Sequence, residues 1–192
     1  VPYRGDKYVE YWCMIAIPYS VGAPTPVGQT RSIPQVIFCI SSVAMPPSTF
    51  AITGCSSGIG LDLVRALAAR GDKVFALVRS TSGSRSGVDE ISAVEGDVTV
   101  IEGIDVAKDD VGEALAASAL AGVTIDVLIN NAGIAGGGDD FSGSQKLDTI
   151  KMDLMREVFE VNTLGPLRVT QALMGQLASP GGKVVVISTG MG

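Results

Sequence analysis

The stretch Phe50-Ala-Ile-Thr-Gly-Cys-Ser-Ser-Gly-Ile-Gly60 limits what this chain can fold into more than any other. An apolar run ends in a glycine-rich turn and passes at once into a helical pattern of apolar residues, Leu61, Leu63, Val64, Leu67 and Ala68. The spacing predicts a strand over 50–53, a loop, and a helix from near Ile59 to about Arg70 that is closed by Gly71. Gly54, Gly58 and Gly60 allow positive φ or the absence of a Cβ, so the backbone can lie against a ligand and the helix against the strand. The unpaired N–H groups at the helix start then face a negative group, a description that a pyrophosphate fits. Because 24 of 192 residues are glycine, a tight strand-to-helix turn is the alternative until the surroundings are considered. The G-x-x-x-G-x-G spacing differs from the G-x-G-x-x-G of other dinucleotide folds. The Gly-Ile-Gly-Leu ending lacks the Lys-Ser/Thr of a triphosphate-hydrolysing loop.

Composition narrows the chemistry further. A chain of 192 residues suits one domain with a sizeable core, and its 46% hydrophobic and 18% charged residues are globular. A net charge of −6 with no basic stripe argues against a nucleic-acid partner. The chain has three cysteines, Cys13, Cys39 and Cys55, and no histidine, which excludes a Ser-His-Asp triad and histidine-based metal sites. Too few soft ligands remain for a structural zinc, so no metal is expected. Reactivity must come from hydroxyls, amides, lysines, carboxylates or a cofactor. The wide cysteine spacing fits a reducing compartment and a cytoplasmic protein.

Residues 1–47 read differently from the rest. They hold the only tryptophan, every tyrosine and most of the prolines. Their two apolar patches, Trp12 to Ile17 and Val36 to Ile40, are too short to span a bilayer. We expect a leader or upstream segment, with translation starting at Met45 and organelle import as the alternative use; N-terminal sequencing of the native protein tests this.

From residue 48 the pattern is regular. Strands are expected at 50–53, 73–78, 98–104, 125–129 and 183–187, with helices over 59–70, about 108–120 and about 148–177. Alternation of this kind predicts a doubly wound parallel α/β sheet with ligands at the carboxyl ends of its strands. Polar residues fall at those ends: Thr53-Gly54, Arg79, Asp105, Asn130-Asn131-Ala132-Gly133 and Ser188-Thr189.

Thr53-Gly54-x-x-x-Gly58-Ile59-Gly60 followed by Asn130-Asn131-Ala132-Gly133 resembles the short-chain dehydrogenase/reductase family over residues 48–192. The resemblance implies a Rossmann-like sheet of strand order 3-2-1-4-5, here without the family's last strands and helices. It implies hydride transfer between a nicotinamide dinucleotide and a small-molecule carbonyl or alcohol. It also implies that Thr53, Gly54, Ser56, Ser57, Gly58, Ile59 and Gly60 line the pyrophosphate and adenosine side. Asp105 and Val106 would contact adenine, and Asn131, Ala132 and Gly133 would support the ribose and the central sheet. Asp105 as a helix cap and Asn131 as a turn residue are the structural alternatives.

Arg79, where an acidic residue would select NAD, favours the 2′-phosphate of NADP(H); a solvated charge is the alternative. Pro166 cannot donate to the Asn162 carbonyl, so the long helix is expected to bend there. In the family the matching asparagine holds a water of the proton relay.

Two departures stand out. Thr189 occupies the place of the catalytic serine, after Ser188, and no Tyr-x-x-x-Lys follows. The expectation is therefore a fragment of an NADP-dependent oxidoreductase, with a non-catalytic dinucleotide-binding module or an inactive fragment as alternatives. Its strand at 183–187 would be an exposed sheet edge, and a homo-oligomer is expected only of the complete protein.

Overall fold

The computed structural model describes residues 10–14 by their backbone, and residues 46–79, 88–135 and 151–188. Its elements are β1 (Glu10–Met14), β2 (Thr49–Thr53), α1 (Gly58–Arg70), β3 (Lys73–Leu77), α2 (Val88–Ser92), β4 (Val98–Ile101), α3 (Val111–Ala116), β5 (Val127–Asn130), α4 (Met152–Phe159), a π-helical turn (Glu160–Leu164), α5 (Gly165–Leu173) and β6 (Lys183–Ile187). All strand pairs are parallel, in the order β1-β6-β5-β2-β3-β4. The expected 3-2-1-4-5 order is the run from β4 to β6.

Strand alternation divides the core into two layers. Ala51, Phe75, Leu77, Ile101, Leu128 and Val184 pack under α3 and α5 with Val111, Leu115, Val169 and Leu173. Phe50, Ile52, Val74, Ala76 and Ile129 pack under α1 and α2 with Leu61, Val64 and Ile91. Both faces of β2 and β3 are covered, which is why their sequences read as continuous apolar runs. Each fully buried Leu, Ile or Val contributes roughly 1.5–3 kcal/mol.

The amino ends of the strands are clamped by two carboxylates. The Ser48 N–H donates to Asp72 Oδ1 at 2.9 Å and the Thr49 N–H to Asp126 Oδ2 at 2.7 Å. Asp72 is 1% exposed and also takes Arg70 Nε at 2.5 Å. α1 ends as its sequence predicts: Gly71 has φ 89°, and the Gly71 and Asp72 N–H groups return to the carbonyls of Ala68 and Leu67.

Several expected boundaries move. The strand expected over 98–104 ends at Ile101, although the Ile104 N–H still reaches the Val78 carbonyl at 3.0 Å. The helix expected over 108–120 is regular only from Val111 to Ala116, because Gly112 and the Ser118-containing turns around it favour short local bonds. The strand expected over 125–129 begins at Val127, and Ile125 makes an isolated bridge to Leu177. β6 is not an exposed edge, since β1 pairs with it from Glu10↔Lys183 to Met14↔Ile187. The bend at Pro166 takes the form of the π-turn: the Gly165 N–H returns to the Glu160 carbonyl, and Pro166 sits in the first turn of α5, where its missing donor costs nothing.

Candidate functional site

The loop between β2 and α1 is held from below by one hydroxyl and one amide. Thr53 is 1% exposed, and its Oγ1 accepts the N–H groups of Asn131 and Ala132, both at 3.0 Å. Asn131 Nδ2 donates to the carbonyls of Thr53 and Gly54, again at 3.0 Å. The carboxyl ends of β2 and β5 are thereby tied residue to residue. Gly54 (φ 70°) lies so close to β5 that a Cβ would stand 2.7 Å from Ala132 Cα. A Cβ on Gly60 would overlap the Gly54 carbonyl oxygen and stand 2.5 Å from Asn131 Nδ2. These two glycines are required by close approach.

Gly58 serves the opposite purpose. It has φ 57° and nothing lies within 4 Å of where its Cβ would be, so that side of the loop is open. Ser57 makes no side-chain cap to α1, and the first turn of α1 has no acidic residue. The N–H groups at this helix start have no side-chain cap from Ser57, which suits them to an anionic group. Ser57, Gly58 and Ile59 are exposed beside it, with Ile59 61% exposed, and Ser56 is half-buried. Cys55, in the same loop, is fully buried; its Sγ is 3.0 Å from the Ile52 carbonyl, and burial pushes its pKa up to about 12. It is a packing residue.

The remaining expected residues line the same edge. Arg79 is exposed just beyond β3. Asp105 lies in the loop after β4, where its Oδ1 accepts the Ala107 N–H at 3.1 Å. That bond makes a turn and does not cap α3, whose N-cap is Asp110. Val106 is buried under Gly165. Gly133 is exposed, and a Cβ there would be 3.5 Å from Asn162 Oδ1.

Asn162, inside the π-turn, pairs with Ile134 in both directions: the Ile134 N–H donates to Oδ1 at 2.9 Å, and Nδ2 donates to the Ile134 carbonyl at 2.9 Å. This reciprocal pair fastens the turn to the segment after β5. Ser188 is exposed after β6, and Thr189 lies outside the described residues, as do most of the 135–146 connection and the start of the helix expected from 148. Ile134, Glu160 and Arg168 were not legible as site-building residues, because their partners are backbone groups or lie on other elements.

A sequence profile of short chain dehydrogenases matches residues 48–192. The chain belongs to the short-chain dehydrogenase family. Among the relatives, human retinol dehydrogenase 8 is 34% identical over 155 residues, which is 78% of this chain and 47% of that protein. A carbonyl reductase from Pseudomonas aeruginosa, solved with NADP, aligns at 32% identity and a TM-score of 0.62, over 73% of this chain and 60% of that one. A 3-oxoacyl-[acyl-carrier protein] reductase from Brucella melitensis, solved with NAD, aligns at 25% identity and a TM-score of 0.54, over 67% of this chain and 47% of that one. The chain spans about half the length of the curated relatives it matches. The family's sheet order is the one seen from β4 to β6. Among the described residues no group of acidic, cysteine or histidine side chains could hold a metal, and no helix is long and apolar enough to cross a membrane.

Proposed function

We propose that residues 48–192 form the dinucleotide-binding part of an oxidoreductase that uses NADP(H) on a small-molecule carbonyl or alcohol. The observation that carries this reading is the uncapped start of α1 above an open Gly58, held in place by the Thr53–Asn131 bonds. That cradle fits a pyrophosphate, and the first turn of α1 carries no acidic residue to repel one. When bound, the cofactor supplies or accepts a hydride.

The chain's own residues then have distinct tasks. Gly54, Ser56, Ser57, Gly58, Ile59 and Gly60 hold the phosphates, with Thr53 and Asn131 fixing their backbone. Asp105 and Val106 border the adenine, while Ala132 and Gly133 give the close-packed floor. Asn162 holds a water for proton transfer, and Thr189, beside Ser188, donates a hydrogen bond to the substrate oxygen. No Tyr-x-x-x-Lys follows Ser188-Thr189 in this sequence, the one such spacing, Tyr3 to Lys7, lying ahead of residue 48, so proton donation by the family's pair is not assigned to any residue here.

Arg79 supports NADP(H) over NAD(H), since a guanidinium pairs with a 2′-phosphate. The relative solved with NAD makes this choice a matter for measurement. Fluorescence titration with both nucleotides tests it. NADPH is expected to bind more tightly, and Arg79→Ala to weaken NADPH by roughly 10- to 100-fold, the worth of a charged hydrogen bond, while NADH changes little. Equal affinity of the parent for both nucleotides would defeat the preference, and binding of neither would defeat the cofactor reading.

A homo-oligomer of the complete protein belongs to the same proposal. α4 exposes Met152, Met155 and Phe159, at 58%, 48% and 54%, along one helical face. Sedimentation of the complete protein and of its Phe159→Glu variant tests this; a monomer in both cases would end it.

A further inference from the structure

Asn162 is fastened to Ile134, but the π-turn that carries it needs a support of its own. A π-turn is rare, occurring mostly as a single turn inside an α-helix, and persists only where its surroundings favour it. The support comes from Arg168, eight residues after Glu160. Its Nη2 lies 2.7 Å from Glu160 Oε2, at the start of the turn, and 2.7 Å from Asp109 Oδ1. The Arg168 side chain is 20% exposed, and its Nη1 is buried with no partner among the described residues. Hydrogen bonding to Glu160 is the main reason its pKa is raised above the ordinary arginine value.

Asp109 belongs to the loop between β4 and α3, which also carries Asp105 and Val106. The same loop meets the helix a second time at Gly165, where a Cβ would be 2.9 Å from Val106 Cγ2. One contact is ionic and one apolar, and they join the loop at one end of the site to the turn at the other.

We propose that Arg168 is a positioning residue which, through Glu160 and Asp109, locks the π-turn carrying Asn162 to the loop carrying Asp105 and Val106, so that the two ends of the cofactor site move together. This rests on the roles given above to Asn162 and Asp105. Arginine suits the task because Nη2 of its rigid planar guanidinium carries two N–H bonds in fixed directions and meets both carboxylates. The two arms differ in exposure: Asp109 is 92% exposed and Glu160 41%, so the Asp109 arm is the more readily screened by salt.

The test uses the full chain labelled with ¹⁵N. The readouts are hydrogen exchange at the Ile134 N–H and the resonance of the Asn162 side-chain amide, in the parent, Arg168→Met and Arg168→Lys. Methionine keeps the apolar stem and removes the charge; lysine returns a charge. In the absence of nucleotide, Arg168→Met is expected to speed exchange at Ile134 about tenfold through local opening, with β2 and β3 unaffected, and Arg168→Lys to recover most of the protection. Glu160→Gln should reproduce the methionine phenotype and serves if Arg168→Met fails to fold. Adenosine 2′,5′-bisphosphate, which lacks the nicotinamide half, should slow exchange at Ile134 in the parent but not in Arg168→Met. The proposal is overturned if Arg168→Met and Glu160→Gln leave Ile134 within twofold of the parent, or if all amides speed up together. Exchange without nucleotide decides the role of Arg168 even if the parent binds neither the bisphosphate nor NADPH, an outcome that counts against the cofactor reading alone.

Discussion

Replacing Gly60 by alanine puts the packing of the loop to a direct test. On helix propensity alone the change should help, since alanine is favoured over glycine in a helix by about 1 kcal/mol. Tertiary geometry opposes it. The new Cβ would overlap the Gly54 carbonyl oxygen and stand 2.5 Å from Asn131 Nδ2, well inside the roughly 3.5 Å at which nonbonded heavy atoms attract. One obstacle is backbone, and the other is an amide that already donates to the Thr53 and Gly54 carbonyls. Overpacking of this kind costs about 1–3 kcal/mol, and losing one Asn131 hydrogen bond costs about 1 kcal/mol more. After the propensity gain, a net loss of about 1–3 kcal/mol is expected, which lowers Tm by roughly 2–12 °C for a domain of this size. Thermal and urea denaturation measure it. Gly58→Ala is the control: its φ is 57° but nothing lies within 4 Å, so only the left-handed backbone strain of about 1–2 kcal/mol applies. Should Gly60→Ala cost no more than Gly58→Ala, the argument from close approach is refuted.

Further outcomes follow from other contacts. Thr53→Val leaves the N–H groups of Asn131 and Ala132 without their acceptor and should cost about 2–4 kcal/mol, measured by urea unfolding. Asp72→Ala removes the acceptor of the Ser48 N–H and the partner of Arg70 at a buried site; a loss of about 2–4 kcal/mol is expected, and proteolysis near residue 48 should quicken. The Cys55 thiol, with its pKa pushed from 9.0 to about 12, should resist alkylation in the folded protein, as mass spectrometry of the labelled peptide would show. Because the folded state keeps that proton longer than the unfolded state, its contribution is complete below pH 9.0 and is lost as pH rises toward about 12, at about 1.4 kcal/mol per pH unit. Cys55→Ala should flatten that part of the alkaline unfolding profile.

Much of the candidate site's edge is legible along the chain because its determinants are local. The 54-58-60 glycine spacing, the apolar runs of β2 and β3, and Gly71 after α1 act on their own or adjacent residues. The parallel sheet was also readable from the alternation of strands and helices, whereas the order of its strands came with the family resemblance. Pro166 announced a break near Asn162 for an equally local reason, the missing donor. Boundaries at β4, α3 and β5 were less legible. There, hydrogen bonds such as Ile104 to Val78 and Ile125 to Gln176 continue contact beyond the regular segment or replace it.

By itself, then, the sequence determined the strand-loop-helix unit, the parallel sheet and the family, because each depends on short-range periodicity and on backbone freedom at particular glycines. Tertiary structure alone decided how the site is held. Asn131 reaches Thr53 and Gly54 across 78 and 77 residues, and Asn162 reaches Ile134 across 28. Arg168 joins Asp109 to Glu160 between separate elements. β1 covers β6 from the far end of the chain. No periodicity encodes such pairs: a side chain's partner is fixed only when the packed sheet brings distant residues within hydrogen-bonding reach.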